Sequence, residues 1–312
     1  MNIELRHLRY FVAVAEELHF GRAAARLNIS QPPLSQQIQA LEQQIGARLL
    51  ARTNRSVLLT AAGKQFLADS RQILSMVDDA AARAERLHQG EAGELRIGFT
   101  SSAPFIRAVS DTLSLFRRDY PDVHLQTREM NTREQIAPLI EGTLDMGLLR
   151  NTALPETLEH AVIVHEPLMA MIPHDHPLAN NPSVTLAELA ELAELAELAE
   201  LAELAKEPFV FFDPHVGTGL YDDILGLMRR YHLTPVITQE VGEAMTIIGL
   251  VSAGLGVSIL PASFKRVQLN EMRWVPIAEE DAVSEMWLVW PKHHEQSPAA
   301  RNFRIHLLNA LR

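Results

Sequence analysis

LRYFVAVAEELHFGRAAARLNISQPPLSQQIQALEQQIG, residues 8–46, holds three short helical patterns in succession. Leu5, Leu8, Phe11, Val12, Ala15 and Leu18 recur every three or four residues, which puts apolar side chains on one face of a helix. A second helix follows in Gly21–Leu27 (GRAAARL), whose alanines permit close helix approach. Asn28-Ile29-Ser30 then makes a tight turn ending in an N-cap residue. Pro32 and Pro33 fit the first turn of a third helix, where N–H groups have no intrahelical partner. Leu34, Ile38, Leu41 and Ile45 form its buried stripe, and Gly46 ends it. Two helices joined by a short turn, the second polar on its outer N-terminal face, are the parts of a helix-turn-helix. That face offers Gln31, Pro32, Ser35, Gln36 and Gln39. Glutamine amides pair with adenine, serine reaches bases or phosphates, and proline lies against a thymine methyl. On pattern alone an ordinary polar surface helix would look the same.

Downstream, ARTNRSVLLTAAG (51–63) sets Arg52 and Arg55 around a polar turn before an alternating Val57 and Leu59, the pattern of a small β wing. Arginines there hold phosphates or enter a minor groove, or they decorate a charged hairpin. No proline occurs from Thr60 to Gln89. Phe66, Leu67, Ile73, Leu74, Val77, Ala81 and Leu87 mark an apolar seam along a helix about 45 Å long. A three-helix domain cannot cover such a seam, which predicts a partner helix from a second chain and hence a homodimer.

The net charge of −11 is unevenly spread. Residues 1–64 carry eight basic and four acidic side chains, and the remainder is strongly acidic. A basic end on an acidic body suits a DNA-binding module, since phosphate attraction acts over about a Debye length. With no cysteine in 312 residues, disulfides, thiolate metal sites and thiol nucleophiles are excluded. No apolar run approaches the roughly 18 residues of a membrane span, and the start lacks an apolar signal core, so the cytoplasm is the expected location.

The body alternates strand and helix. Glu94–Thr100, Val123–Glu129 and Leu144–Arg150 read as strands, with helices over Pro104–Arg118 and Arg133–Glu141 between them. Pro208–Pro214, a helix from Leu220 to Tyr231, Thr234–Val241 and Gly254–Pro261 suggest a second α/β unit. Glu285–Trp290 and a last helix near Phe303–Leu311 return to the first. Such alternation argues for parallel sheets that bind ligands beyond the carboxyl ends of their strands. Taken alone, this body fits a solute receptor without DNA function, or an α/β enzyme, although no local nucleophile–base–acid signature occurs.

The stretch LRYFVAVAEELHFGRAAARLNISQPPLSQQIQALEQQIGARLLAR…LLTAAG resembles the N-terminal domain of LysR-type transcriptional regulators, and the likeness runs through nearly the whole chain. It implies a winged helix-turn-helix over 1–59, a linker and dimerisation helix over 60–90, and a two-lobed, periplasmic-binding-protein-like α/β effector domain over 91–312. Lobe I would take about 91–163 and 270–312, lobe II 164–269. The resemblance further implies a homotetramer on double-stranded DNA, modulated by a small effector and contacting RNA polymerase, with no cofactor, metal or catalytic role. Gln31, Pro32, Ser35 and Gln36 would face bases, and Arg52 and Arg55 would sit on the wing. The family often has a basic residue at the position of Gln36, which alters the expected operator. Similarity to members that sense aromatic-pathway carboxylates carries over Ser102, Thr132 and Arg150 as effector residues, with Pro214 and His215 on the opposite rim. Hydroxyls, helix-start N–H groups and an arginine suit a carboxylate. Ser102 and Thr132 as helix caps, and Arg150 as an ion-pair partner, remain alternatives.

Residues 186–206 read LAE six times and then LAK. All three residue types of the LAE unit favour helix, but a period of three moves successive leucines back by 60°, so no single apolar face forms. Family members have about one such unit, and some five units look like extra copies, a tandem expansion without selected purpose being the plain reading. His174, His176, His293 and His294 lack a third metal ligand at a diagnostic spacing.

Overall fold

The computed structural model describes residues 3–52, 57–191, 208–216, 219–292 and 297–311. It divides into two compact units, Met1–Arg86 and Leu87–Arg312.

In the first unit, α1 (Leu5–Glu17), α2 (Phe20–Arg26) and α3 (Gln31–Ile45) enclose a core of Phe11, Val14, Ala23, Leu34, Ile38 and Leu41. Asn28, at φ 56°, turns the chain between α2 and α3. Ser30 holds the N-cap position of α3 in extended backbone but makes no side-chain cap bond. An N-cap hydroxyl accepts from the second or third helical N–H, and here those residues are Pro32 and Pro33, which have none. Gly46, at φ 74°, closes the helix. The wing pairs β1 (Leu50–Arg52) with β2 (Val57–Leu59) antiparallel, Leu50 opposite Leu59. Glu42 of α3 accepts from the Leu49 and Leu50 N–H groups at 2.8 and 3.0 Å, which fixes the wing's first strand to α3.

The long helix α4 (Ala61–Gln89) rests its start on this core, with the Phe66 and Phe11 rings 5.2 Å apart. Arg71 of α4 and Arg26 of α2 both hold Glu16 of α1, at 2.6 and 2.7 Å. Those two arginines keep its carboxyl below the usual range, Arg71 contributing most. Farther along, Ile73, Met76 and Leu87 are exposed within the chain.

The second unit opens with β3 (Ala92–Phe99), α5 (Arg107–Asp119), β4 (Asp122–Glu129), α6 (Ile136–Ile140) and β5 (Met146–Arg150); β3 pairs parallel with both β4 and β5. The alternation expected from sequence is therefore present. Sequence reading passed over the next element, β6 (Leu158–Pro173), a strand of 16 residues. It is followed by α7 (Leu186–Glu191), β7 (Phe209–Phe212), α8 (Gly219–Arg230), β8 (Ile237–Val241), α9 (Ala244–Ser252) and β9 (Ser258–Pro261), then by β10 (Met272–Pro276), β11 (Val283–Pro291) and α10 (Pro298–Asn309).

The strand β6 belongs to both lobes. Its first part, through Pro167, pairs with β11, and β11 pairs with β5. From Leu168 onward it pairs with β9 and β10. One apolar cluster, with Leu95, Ile97, Phe116, Leu148, Leu288 and Phe303, fills the first lobe. Another, with Phe209, Phe211, Ile224, Ile247, Ile259 and Phe264, fills the second. Met272, Val275 and Ala282 pack in the second cluster. The chain thus returns to the first lobe at about residue 283, not at 270 as the sequence suggested. The MRWVP strand (272–276), unrecognised there, extends the second lobe's sheet.

Candidate functional site

Two surfaces stand out. On α3, Gln31, Pro32 and Gln36 are exposed and Ser35 is half-buried, opposite the buried Leu34, Ile38 and Leu41. Next to them Gln37 is oriented from behind: the Glu4 N–H donates to His7 Nδ1, and His7 Nε2 lies 2.9 Å from Gln37 Oε1. With Nδ1 accepting, Nε2 carries the proton and donates. Arg52 ends β1, and Arg55 lies outside the described residues.

The other surface is a cavity of about 180 Å³ between the lobes of the second unit. The first lobe supplies Thr100 and Ser102 beyond the end of β3, Thr132 beyond β4, and Arg150 at the end of β5. The second supplies Phe212, Val216, Gly219 and Leu220. This is where ligands collect in open α/β sheets, outside the carboxyl ends of the strands. Gly219 lets the lobes meet. A Cβ there would come within 2.6 Å of the Arg150 Cβ and 3.1 Å of Thr132 Oγ1.

Arg150 is only 1% exposed, and each of its guanidinium nitrogens has a polar neighbour. Nε donates to Ser102 Oγ at 3.2 Å, Nη1 to Ser284 Oγ at 3.4 Å, and Nη2 lies 2.6 Å from Glu166 Oε1 as an ion pair. The second Glu166 oxygen accepts from the Ser263 N–H at 2.9 Å. The Ser284 hydroxyl in turn donates a hydrogen bond to Asp223 Oδ2 of α8 at 2.7 Å. Burial pushes the guanidinium down, and Glu166 holds it up. Burial likewise pushes the Asp223 carboxyl up, against the Ser284 bond and Arg150. Glu166 and Ser284 face each other where β6 and β11 leave one lobe for the other, so this network sits on the crossover.

Ser102, Thr132 and Arg150 therefore share one cavity. Pro214 and His215 do not line it. They belong to the short turn Pro214–Val216, whose last residue reaches the lining, while His215 borders an adjoining hollow with Asn131, Arg133 and Glu134. The hydrogen bond from the His215 N–H to Asp213 Oδ1, 2.8 Å, fixes that turn. The sequence reading missed Glu129, Glu134 and Glu243, which also line the cavity. Glu129 ends β4, so the rule of strand carboxyl ends would have found it. Among the described residues no group of three His, Asp or Glu could hold a metal ion, and no helix is long and apolar enough to cross a membrane. His293 and His294 lie outside the described residues.

Residues 5–64 match the model of the bacterial regulatory helix-turn-helix protein, lysR family, and residues 88–193 and 190–312 match the LysR substrate binding domain. The chain belongs to the LysR family. This LysR-type regulator is 95% identical over the full length of both chains to the HTH-type transcriptional regulator YnfL of Escherichia coli. It is 34% identical to the regulator AlsR of Bacillus subtilis, covering 98% of this chain and 96% of AlsR. Among solved structures, the LysR family regulator CbnR in complex with its target DNA is 28% identical, covering 99% of this chain and all of that one, with a TM-score of 0.84. These relatives are transcriptional regulators rather than enzymes, which removes the catalytic alternative. The two matched pieces of the substrate domain overlap at residues 190–193, inside the LAE tract, as expected where a repeated segment interrupts the family pattern.

Proposed function

We propose that this cytoplasmic regulator binds double-stranded DNA through Gln31, Pro32, Ser35 and Gln36 in the major groove, with Arg52 and Arg55 of the wing on the backbone or minor groove. Two chains pair through α4 and two pairs make a homotetramer. A small effector bearing a carboxylate enters the cavity between the lobes, against Ser102, Thr132 and Arg150, with Pro214 and His215 just outside its rim. Because the effector favours one arrangement of the assembly over another, its binding shifts the population and alters contact with RNA polymerase. The observation that carries this reading is the exposed polar start of α3 on a chain that also holds a polar cavity between two lobes.

The test is a gel shift on the protein's own upstream region over a salt series. Ser35→Ala is expected to cost about 1–3 kcal/mol on the cognate site and to relax sequence preference. Arg52→Ala is expected to weaken all sequences evenly and to reduce the salt slope by about one. Unaltered binding by both variants would sink the assignment.

Leu186 and Leu189 of α7 are buried in the second lobe, so the first units of the LAE tract are part of its core. Units beyond Glu191 lie outside the described residues. Removing five units, 15 residues, is expected to leave DNA affinity intact while changing effector response or solubility. Identical dose–response curves and solubility in both forms would refute this.

A further inference from the structure

The charge of the cavity is opposite to what a simple anion needs. Three carboxylates, Glu129, Glu134 and Glu243, line it, and Arg150 is the only cation among the described lining residues. That cation is spent. Glu166 neutralises it at 2.6 Å, Ser102 and Ser284 take two of its remaining donors, and Asp223 stands behind Ser284 with a further acidic group. A carboxylate approaching Arg150 would meet a guanidinium without free charge. Nor does a neighbouring base offset the glutamates. Arg133 is paired with Asp222 at 2.8 Å. Glu134 uses one oxygen to accept from the Asn131 N–H at 3.0 Å, and His215 borders it from the adjoining hollow. The carboxylates of Glu129 and Glu243 have no hydrogen bond or ion pair among the described residues, and burial together with the charges of Glu129 and Glu134 pushes the Glu243 carboxyl up. Three like charges around one small space lose their mutual repulsion when a cation joins them.

The other end of the cavity is chemically different. Ser102 and Thr132 are each 1% exposed, and Thr132 Oγ1 accepts from the Arg150 N–H at 3.4 Å. None of the described hydrogen bonds uses the Thr132 hydroxyl proton, which is therefore available to an acceptor. Gly219 and Leu220, the first residues of α8, line the same cavity, and the N–H groups of a first helical turn have no intrahelical partner. The floor thus donates hydrogen bonds while the three glutamates attract positive charge.

We infer that the effector is a zwitterion, an amino-carboxylate whose ammonium sits among Glu129, Glu134 and Glu243 and whose carboxylate meets the Ser102 and Thr132 end. The inference rests on the reading of this cavity as the effector site and adds the charge pattern of its ligand. A carboxylate alone meets net repulsion, and an amine alone leaves the floor unused.

The experiment is thermal stabilisation and calorimetric titration of the full-length protein with matched triplets. One is leucine, 4-methylpentanoate and 3-methylbutylamine; another is phenylalanine, 3-phenylpropanoate and 2-phenylethylamine. Further amino acids are tested with their desamino and decarboxy analogues. An amino-carboxylate is expected to bind at least tenfold tighter than either partner. The Glu129→Gln, Glu243→Gln double variant, altered only at exposed positions, is expected to lose at least tenfold for it while binding the matched carboxylate as well or better. A panel in which only carboxylates or only amines bind, or in which no member binds, overturns the inference. Gly219→Ala separates the two levels of the argument. If it leaves the affinity of whichever probe binds unchanged, the cavity is not the effector site and the underlying reading falls. If it abolishes binding of a plain carboxylate, that reading stands and only the zwitterion is rejected.

Discussion

Glu166→Ala is expected to destabilise the effector domain by about 3–5 kcal/mol, the cost of leaving a buried charge without its partner. For a domain of this size that corresponds to a fall in Tm of roughly 10 °C. The expectation follows from how completely the pair is withdrawn from water, with side chains 1% and 8% exposed. Removing Glu166 strands the guanidinium with two serine hydroxyls and also deprives the Ser263 N–H of its acceptor. Glu166→Gln retains an oxygen for Ser263 and should cost less. The decisive comparison is the Arg150→Met, Glu166→Leu double variant. A buried ion pair replaced by apolar groups of similar volume is often neutral or stabilising, so the double variant should recover most of the stability lost by the single one. Differential scanning calorimetry checks this directly. A single variant within 1 kcal/mol of the parent, or a double variant as unstable as the single, would show that the pair is not what holds the crossover. The same network explains why the stability effect should reach the effector response. Arg150 touches Ser102 in the cavity, Glu166 and Ser284 lie where the two long strands pass between lobes, and Asp223 belongs to the second-lobe helix α8.

Much of this architecture was legible in the amino acids because the signals were local. The stripe of Leu34, Ile38 and Leu41 and the proline-rich first turn define α3 within one segment. Ser102 and Thr132 follow the ends of strands whose alternation is evident, and Arg150 ends another. What escaped was non-local. The first part of β6, Leu158–Pro167, carries His160, His165 and Glu166 among its apolar residues, so it shows neither clean alternation nor a continuous apolar run. It is a strand because β11 borders one part and β9 and β10 the other. The MRWVP strand went unrecognised for the same reason, since only its pairing with Met169–Pro173 decides. Arg150 was legible as a residue at a strand's carboxyl end with an ion pair as one open alternative, but its partner was not, because Glu166 is supplied by an element that the sequence did not reveal. The three cavity glutamates come from separate loops and strand ends, and no spacing rule links Glu129 and Glu134 to Glu243.

Ile73→Asp combined with Met76→Asp in α4 is expected to lower operator affinity by about 100-fold or more while leaving the fold of the single chain intact. The two side chains are 41% and 62% exposed within the chain, so neither contributes to its core. Three residues apart on one helix, they occupy the same face, continuing the seam that begins where Phe66 and Leu67 leave the helix-turn-helix core. Charges placed on that face would be desolvated between two paired helices, which favours separated chains. Separation removes the linkage between two DNA-reading modules, and such linkage raises binding by about 10²–10⁴ without any new contact. Sedimentation velocity should show the species reduced in size, circular dichroism should be unchanged, and the gel shift should lose both affinity and steep salt dependence. If the variant keeps the parent's size and operator affinity, the seam is not the pairing surface, and the exposed apolar face of α4 has some other partner.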